Sequence, residues 1–351
     1  MKQVQFFLVI AAFTVASCQV SETPTTVQED RGIEQGQAPI SKIKSELDRL
    51  NALIRQDPNN LGVLESRARI YLRQQNLKYA QADVSAILAM DSSRIVALEL
   101  FGDLGFATNQ TRQSRDAWTK CMALDPTYVP CRLKMAQLYH VVTEFEKSAE
   151  LVDRVLVLDP KNPEAHFLKG LLMRDAIGDT LMAISWFQKA IDIAPDYAEA
   201  LDMCGILYGA IDSPLALGYF NRLIELNPAN RMSLYNRGMY YLGKQDWNGA
   251  LEDFTKCTQL DPTDIESMFN LGFIHLQLEL PSDARYYFNQ ALEIQPINHR
   301  ALYGRGYSFE LLGDMPNAEA DYRQALSYNP SHAGSREGVL RVQRAADHSG
   351  Q

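Results

Sequence analysis

Five cysteines, six histidines and one glycine–lysine run are the residues here whose types and spacing bear on chemistry. Cys121 and Cys131 flank the turn around Asp125–Tyr128 almost symmetrically. Facing thiols across a helix–helix turn can bridge in an oxidising compartment, but separate burial is the favoured reading. Cys204 and Cys257 lie on apolar faces and read as small core residues. Gly238 to Lys244 matches the spacing of a phosphate-binding loop, yet no strand precedes it. Gln245 also replaces the hydroxyl that would hold magnesium, so the match is accidental. The histidines show no metal-ligand spacing, and His140 and His275 read as helix-packing residues. No nucleophile sits in a recognisable elbow, and the scattered carboxylates read as solvated helix faces. The expectation is therefore no metal, no cofactor and no catalysis.

The fifth cysteine has a different setting. Met1–Cys18 carries a single Lys2, an apolar core reaching Val15, and then small residues. That is the pattern of a secretory signal, too short to span a membrane. Its end, Val15-Ala16-Ser17-Cys18, resembles a bacterial lipobox. The resemblance implies that Cys18 is diacylated and becomes the mature N-terminus, attached to a membrane without a span. An ordinary signal peptide or a buried N-terminal helix is the alternative. Gln19 is not the Asp that commonly retains such proteins at the inner membrane. The resemblance thus implies the envelope of a double-membrane bacterium, at the outer membrane and facing the periplasm. Residues 19–38 are polar and read as a disordered tether, spanning about 25 Å as a coil and about 70 Å stretched. The net charge of −9, with no basic run, is a poor fit to nucleic acid.

The elements that position these residues are best seen in Arg231–Pro262. A first helix carries Leu234, Tyr235, Gly238, Tyr241 and Leu242 at spacings of three and four. After a turn at Gly243–Asp246, a second carries Trp247, Ala250, Leu251, Phe254, Cys257 and Leu260, ending at Asp261-Pro262. Gly238, Ala250 and Cys257 are small where the helices approach, and Trp247 and Phe254 fill the gaps beside them. One such hairpin cannot bury its apolar faces alone. Prolines 58, 126, 160, 195, 228, 262, 296 and 330 repeat the unit at multiples of 34, except 35 before Pro195 and 33 before Pro228. Small residues recur as Ala68, Gly102, Ala136, Gly170, Gly205, Gly238, Gly272 and Gly306. Large second-helix residues recur as Val84, Trp118, Val152, Phe187, Phe220, Phe254, Phe288 and Tyr322.

This pattern closely resembles the tetratricopeptide repeat. The resemblance implies an all-α, right-handed α-solenoid of about eight helix-turn-helix repeats over 59–330. A capping helix is expected at 39–58, and a second with a tail at 331–351, fraying from Asp347. The irregular spacings fall around Asp175–Thr180 and Gly209–Pro214, where loops are expected to absorb them.

In the resembling family the first helices line the surface that holds peptides or partner helices. On that face this chain has Tyr235 and Met239, Phe269 and Phe273, and Tyr303 and Tyr307, each recurring at intervals of 34. The first of each pair is often aromatic in the family; the second is commonly polar. Met239, Phe273 and Tyr307 depart from that pattern, which points either to an apolar partner or to tight packing between repeats. A clamp for a C-terminal carboxylate, laid on the same repeats, meets Tyr235, Met239, Asn270, Arg300 and Gly304 and agrees at two of five places. The expected function is a non-catalytic, lipid-anchored envelope scaffold or adaptor for protein or peptide partners. The alternatives are an assembly chaperone for an exported client, or a regulatory subunit of an envelope enzyme complex.

Overall fold

The structure is a computed structural model that describes residues 40–349. The signal segment, Cys18 and the tether lie outside the described residues. Every regular element among them is helical, and together they form an all-α repeat solenoid. The chain divides into two compact units, meeting in sequence at Leu207 and Tyr208. The first holds α1 (Ile40–Gln56), α2 (Leu61–Arg73), α3 (Leu77–Met90), α4 (Ile95–Ala107) and α5 (Thr111–Leu124). It continues with α6 (Val129–Val141), α7 (Phe145–Leu158), α8 (Pro163–Leu172) and α9 (Thr180–Ile193), and α10 (Ala198–Ala210) runs across the division. The second holds α11 (Leu215–Leu226), α12 (Arg231–Gly243), α13 (Trp247–Leu260), α14 (Ile265–Gln277) and α15 (Pro281–Ile294). α16 (His299–Leu311), α17 (Met315–Tyr328) and α18 (Ala333–Ser349) complete it.

The small-and-large alternation does the packing the spacing predicts. A Cβ at Gly272 would stand 2.8 Å from the Phe288 ring, and one at Gly170 2.5 Å from Phe187. Phe187, Phe254, Phe288 and Tyr322 are accordingly sealed from solvent. Helix starts are fixed locally: the side chains of Asn162, Asn230, Asp246 and Asp264 each accept a backbone N–H from the first turn. Helix ends are fixed by a left-handed residue in each intrahairpin turn. Glycine supplies it at Gly178 and Gly313, whereas Thr143 and Glu279 adopt φ of 61° and 59° with a side chain in place.

Both end helices carry residues unsuited to a further hairpin partner. In α1, Glu46 stands in the register of Ala80, Ala250 and Ala284, which are fully buried. In α18, Leu340 stands in the register of Gly272 and Gly306 and is exposed. Val342 is its buried anchor. α18 runs on to Ser349, past Asp347, where the sequence suggested fraying.

Two expectations need correction. The extra residue near Asp175 is not absorbed by a loop: the end of α8 widens into a π-helical turn over Met173–Ile177. The wider turn accommodates one more residue without rotating α9 out of register. The missing residue near Pro214 shortens a helix instead, leaving α11 with 12 residues where α13 has 14. Cys121 and Cys131 are not separate thiols. Both are buried, as expected, but they are joined as a disulfide between the end of α5 and the start of α6. Their Cα atoms lie 6.4 Å apart, a separation set by how the two helices dock and not visible in sequence.

Candidate functional site

The first helices of each unit touch their successors, α2 with α4, α6 with α8, α14 with α16 and α16 with α18. They therefore form a continuous inner face in each unit. Its chemistry is set by two positions per repeat, three residues before and one residue after the small residue.

In the first two repeats of the 40–207 unit these positions are polar and largely satisfy one another, while Leu133, Phe167, Leu171 and Ile206 make them partly apolar in the next three. Arg94 reaches back to Glu65 at 2.6 Å, and Arg69 forward to Glu99 at 2.9 Å. Tyr128 donates to the same Glu99 at 2.7 Å, and burial with this carboxylate pushes its phenol up to about 12. Lys134 approaches Asp103 at 3.7 Å, and Gln137 donates to Glu164 at 2.6 Å. Burial raises the Asp103 and Glu164 carboxyls above their ordinary range; nearby Glu99 and Glu199 respectively add to it. None of this ladder was anticipated. Its signal was present in the sequence, as Glu65, Glu99, Arg69 and Asp103 occupy the register of Tyr235 and Met239.

In the 208–349 unit the same positions are apolar, and the structure gives the two rows different work. Tyr235 meets Phe254 edge-on at 5.6 Å, Phe269 lies 5.5 Å from Phe288, and Tyr303 lies 5.8 Å from Tyr322. Each packs on the large residue of its own hairpin. Tyr303 is buried enough to have its phenol pushed up to about 12. Met239, Phe273 and Tyr307 form the second row, half-buried against the clusters around Phe254, Ile274 and Tyr322. The clamp positions are otherwise engaged. Asn270 is buried, with its amide 3.5 Å from the Met239 sulfur, and Arg300 covers the Phe269 ring at 4.2 Å. Arg341 of α18 binds Glu310 at 2.8 Å and lies over Tyr307 at 5.8 Å. His275 stacks on Tyr287, and His140 pairs with Asp175 at 2.9 Å. Cys204 and Cys257 are fully buried, and burial raises both thiols.

Family models of the tetratricopeptide repeat match residues 133–198, 232–264, 265–298 and 299–332. These spans are tetratricopeptide repeats. The matched spans coincide with hairpins of the structure, including the three repeats that carry the second apolar row. No curated protein sequence matches the chain. Among solved structures, the Cut9–Hcn1 hetero-tetramer of the APC/C is similar over 86% of this chain and 59% of its own. The identity is 15% and the TM-score 0.56. PilW, described as a widely conserved type IV pilus biogenesis factor, covers 60% of this chain and 97% of its own, at 18% identity and a TM-score of 0.51. YrrB, a tetratricopeptide-repeat protein described as having an unusual peptide-binding site, covers 54% and 97%, at 25% identity and a TM-score of 0.47. The likenesses to the Cut9–Hcn1 hetero-tetramer and to PilW speak to the fold alone.

Proposed function

We propose that this tetratricopeptide-repeat protein is a non-catalytic scaffold that holds a protein or peptide partner against the inner face of its 208–349 unit. The partner presents apolar side chains. One observation carries the reading: Met239, Phe273 and Tyr307 occupy a register that the same fold fills with Arg69, Asp103 and Gln137 in its first three repeats, and with Leu171 and Ile206 in the next two. Apolar side chains are therefore not needed there to build the solenoid, and their row is left partly open to solvent. The signal-like segment and the lipobox resemblance at Cys18 add a setting. The scaffold is lipid-anchored in a bacterial envelope, at the outer membrane and facing the periplasm, and gathers envelope proteins there.

The test is a triple change, Met239→Asn, Phe273→Asn and Tyr307→Asn. Each lost apolar contact is worth about 1–2 kcal/mol of binding. Affinity capture from detergent-solubilised envelopes should recover a stoichiometric partner with the wild type and lose it with the variant. Helical content and cooperative unfolding should be nearly unchanged. If binding loss merely follows the fraction unfolded, the row is packing and the proposal fails. Many substoichiometric clients in place of one partner would indicate a chaperone.

A further inference from the structure

On the opposite, second-helix side of the 208–349 unit lies an open depression of 290 Å³ between α15 and α16. It is lined by Ser282, Arg285, Tyr286, Asn289, Arg305 and Phe309. Its floor is electrically settled: Arg305 is held by both Asp321 oxygens at 2.8 Å and by Asn289 at 2.9 Å. Its rim is not. The Arg285 guanidinium lies 5.4 Å over the Phe309 ring, and among the described residues no carboxylate lies within ion-pairing distance of it. Tyr286 beside it is 59% exposed.

An internal comparison separates what the repeat builds from what this site adds. Two repeats earlier the same framework of Asn221, Arg237 and Asp253, with Tyr241 in the register of Phe309, lines a depression of 410 Å³. There the rim carries Glu225 and Glu252, and its one arginine is committed to Asp253 and Asn221. Leu251 and Glu252 stand one repeat before Arg285 and Tyr286, and Glu319 stands one repeat after Arg285. The hollow is thus a product of the repeat, whereas the uncommitted cation and the exposed phenol are particular to the later one.

We propose that the α15–α16 depression binds an oxyanion, carboxylate or phosphate, carried on a small apolar body. A guanidinium near an aromatic ring is drawn towards it, and its fork of N–H donors can grip two oxygens at once. The rings of Phe309 and Tyr286 supply the apolar wall. The volume lies at the small end for ligand sites, so the occupant is one side-chain-sized group and not a cofactor. The chain's net charge of −9 does not by itself attract such a ligand, so recognition rests on Arg285 at this rim.

Ligand-observed NMR titration of the full chain tests this with N-acetylphenylalanine, its uncharged carboxamide, and phenyl phosphate. At least one anion should bind, with the carboxamide about tenfold weaker or more, as expected for loss of a charge-assisted bidentate contact. Whichever anion binds more tightly identifies the source of the oxyanion. Arg285→Gln should weaken that anion about tenfold, and Arg285→Lys by less. Tyr286→Ala should weaken all three, whereas Glu252→Gln in the earlier depression should change nothing. Equal binding of acid and carboxamide, no binding of either anion, or indifference to Arg285→Gln would overturn the site. Arg285 and Tyr286 are exposed, and circular dichroism of each variant establishes that a loss of binding is not a loss of fold.

Discussion

The most informative single residues are the arginines that recur in the hairpin walls. Arg67, Arg237 and Arg305 each grip an aspartate 16 residues later, Asp83, Asp253 or Asp321, through two bonds of 2.6–2.8 Å. Each also reaches an asparagine 16 residues earlier, at Asn51, Asn221 or Asn289. The aspartates are buried, so removing one strands a charge. Asp253→Ala should cost about 3 kcal/mol in chemical denaturation. The next repeat fills the same two places with Leu271 and Tyr287. Importing that pair as Arg237→Leu with Asp253→Tyr should cost about 1 kcal/mol or less, because no uncompensated charge remains. A double variant less stable than the single would show that the ion pair stabilises the wall outright. These triads were open to a reader of the sequence who compared equivalent places between repeats. Periodicity of apolar residues alone does not reveal them.

At the scale of helices, close approach and open space give one substitution opposite signs. Gly272 of α14 faces the Phe288 ring, and a Cβ there intrudes to 2.8 Å. Gly218 of α11 is exposed, with nothing within 4 Å of an added Cβ. Gly272→Ala should therefore destabilise by about 1–3 kcal/mol. Gly218→Ala should stabilise by about 0.5–1 kcal/mol, through helix propensity and a less disordered unfolded chain. Paired thermal unfolding checks both signs; a gain at Gly272 would mean α14 and α15 are not in this register. The ladder of first helices in the 40–207 unit makes a pH prediction. Asp103 and Glu164 have raised folded carboxyl values, burial being the main cause, so the folded state holds protons there more tightly than the unfolded chain. Their charged forms cost stability above the raised values, and that cost fades as pH falls towards about 4, the ordinary carboxylate range. Asp103→Asn with Glu164→Gln should accordingly raise Tm at pH 7, with the gain shrinking as pH falls towards about 4. A gain that is constant across this range would show that the two groups are not the source.

For the molecule as a whole, the proposed lipid anchor rests on one atom, the Cys18 sulfur. Cys18→Ser should leave the chain unlipidated and move it from the membrane fraction to the soluble one, as read by fractionation and intact mass. An unmodified mature N-terminus beginning elsewhere than Cys18 in the wild type would remove the anchor from the proposal. What the sequence determined by itself was the repeat. Its period, helix limits and small-against-large pairing all follow from local spacing, which one hairpin encodes and seven others restate. What only the tertiary structure decided depends on distances between residues of different helices. It joined Cys121 to Cys131, because α5 and α6 dock with their ends facing. It widened α8 into a π-turn, because α9 must keep its register against α8. It set Tyr235, Phe269 and Tyr303 each against the large ring of its own hairpin, and left all six residues of the face, Met239, Phe273 and Tyr307 included, half-buried. Helical periodicity says which side of a helix a residue occupies, but the rotation of the neighbouring helix decides how deeply it is buried.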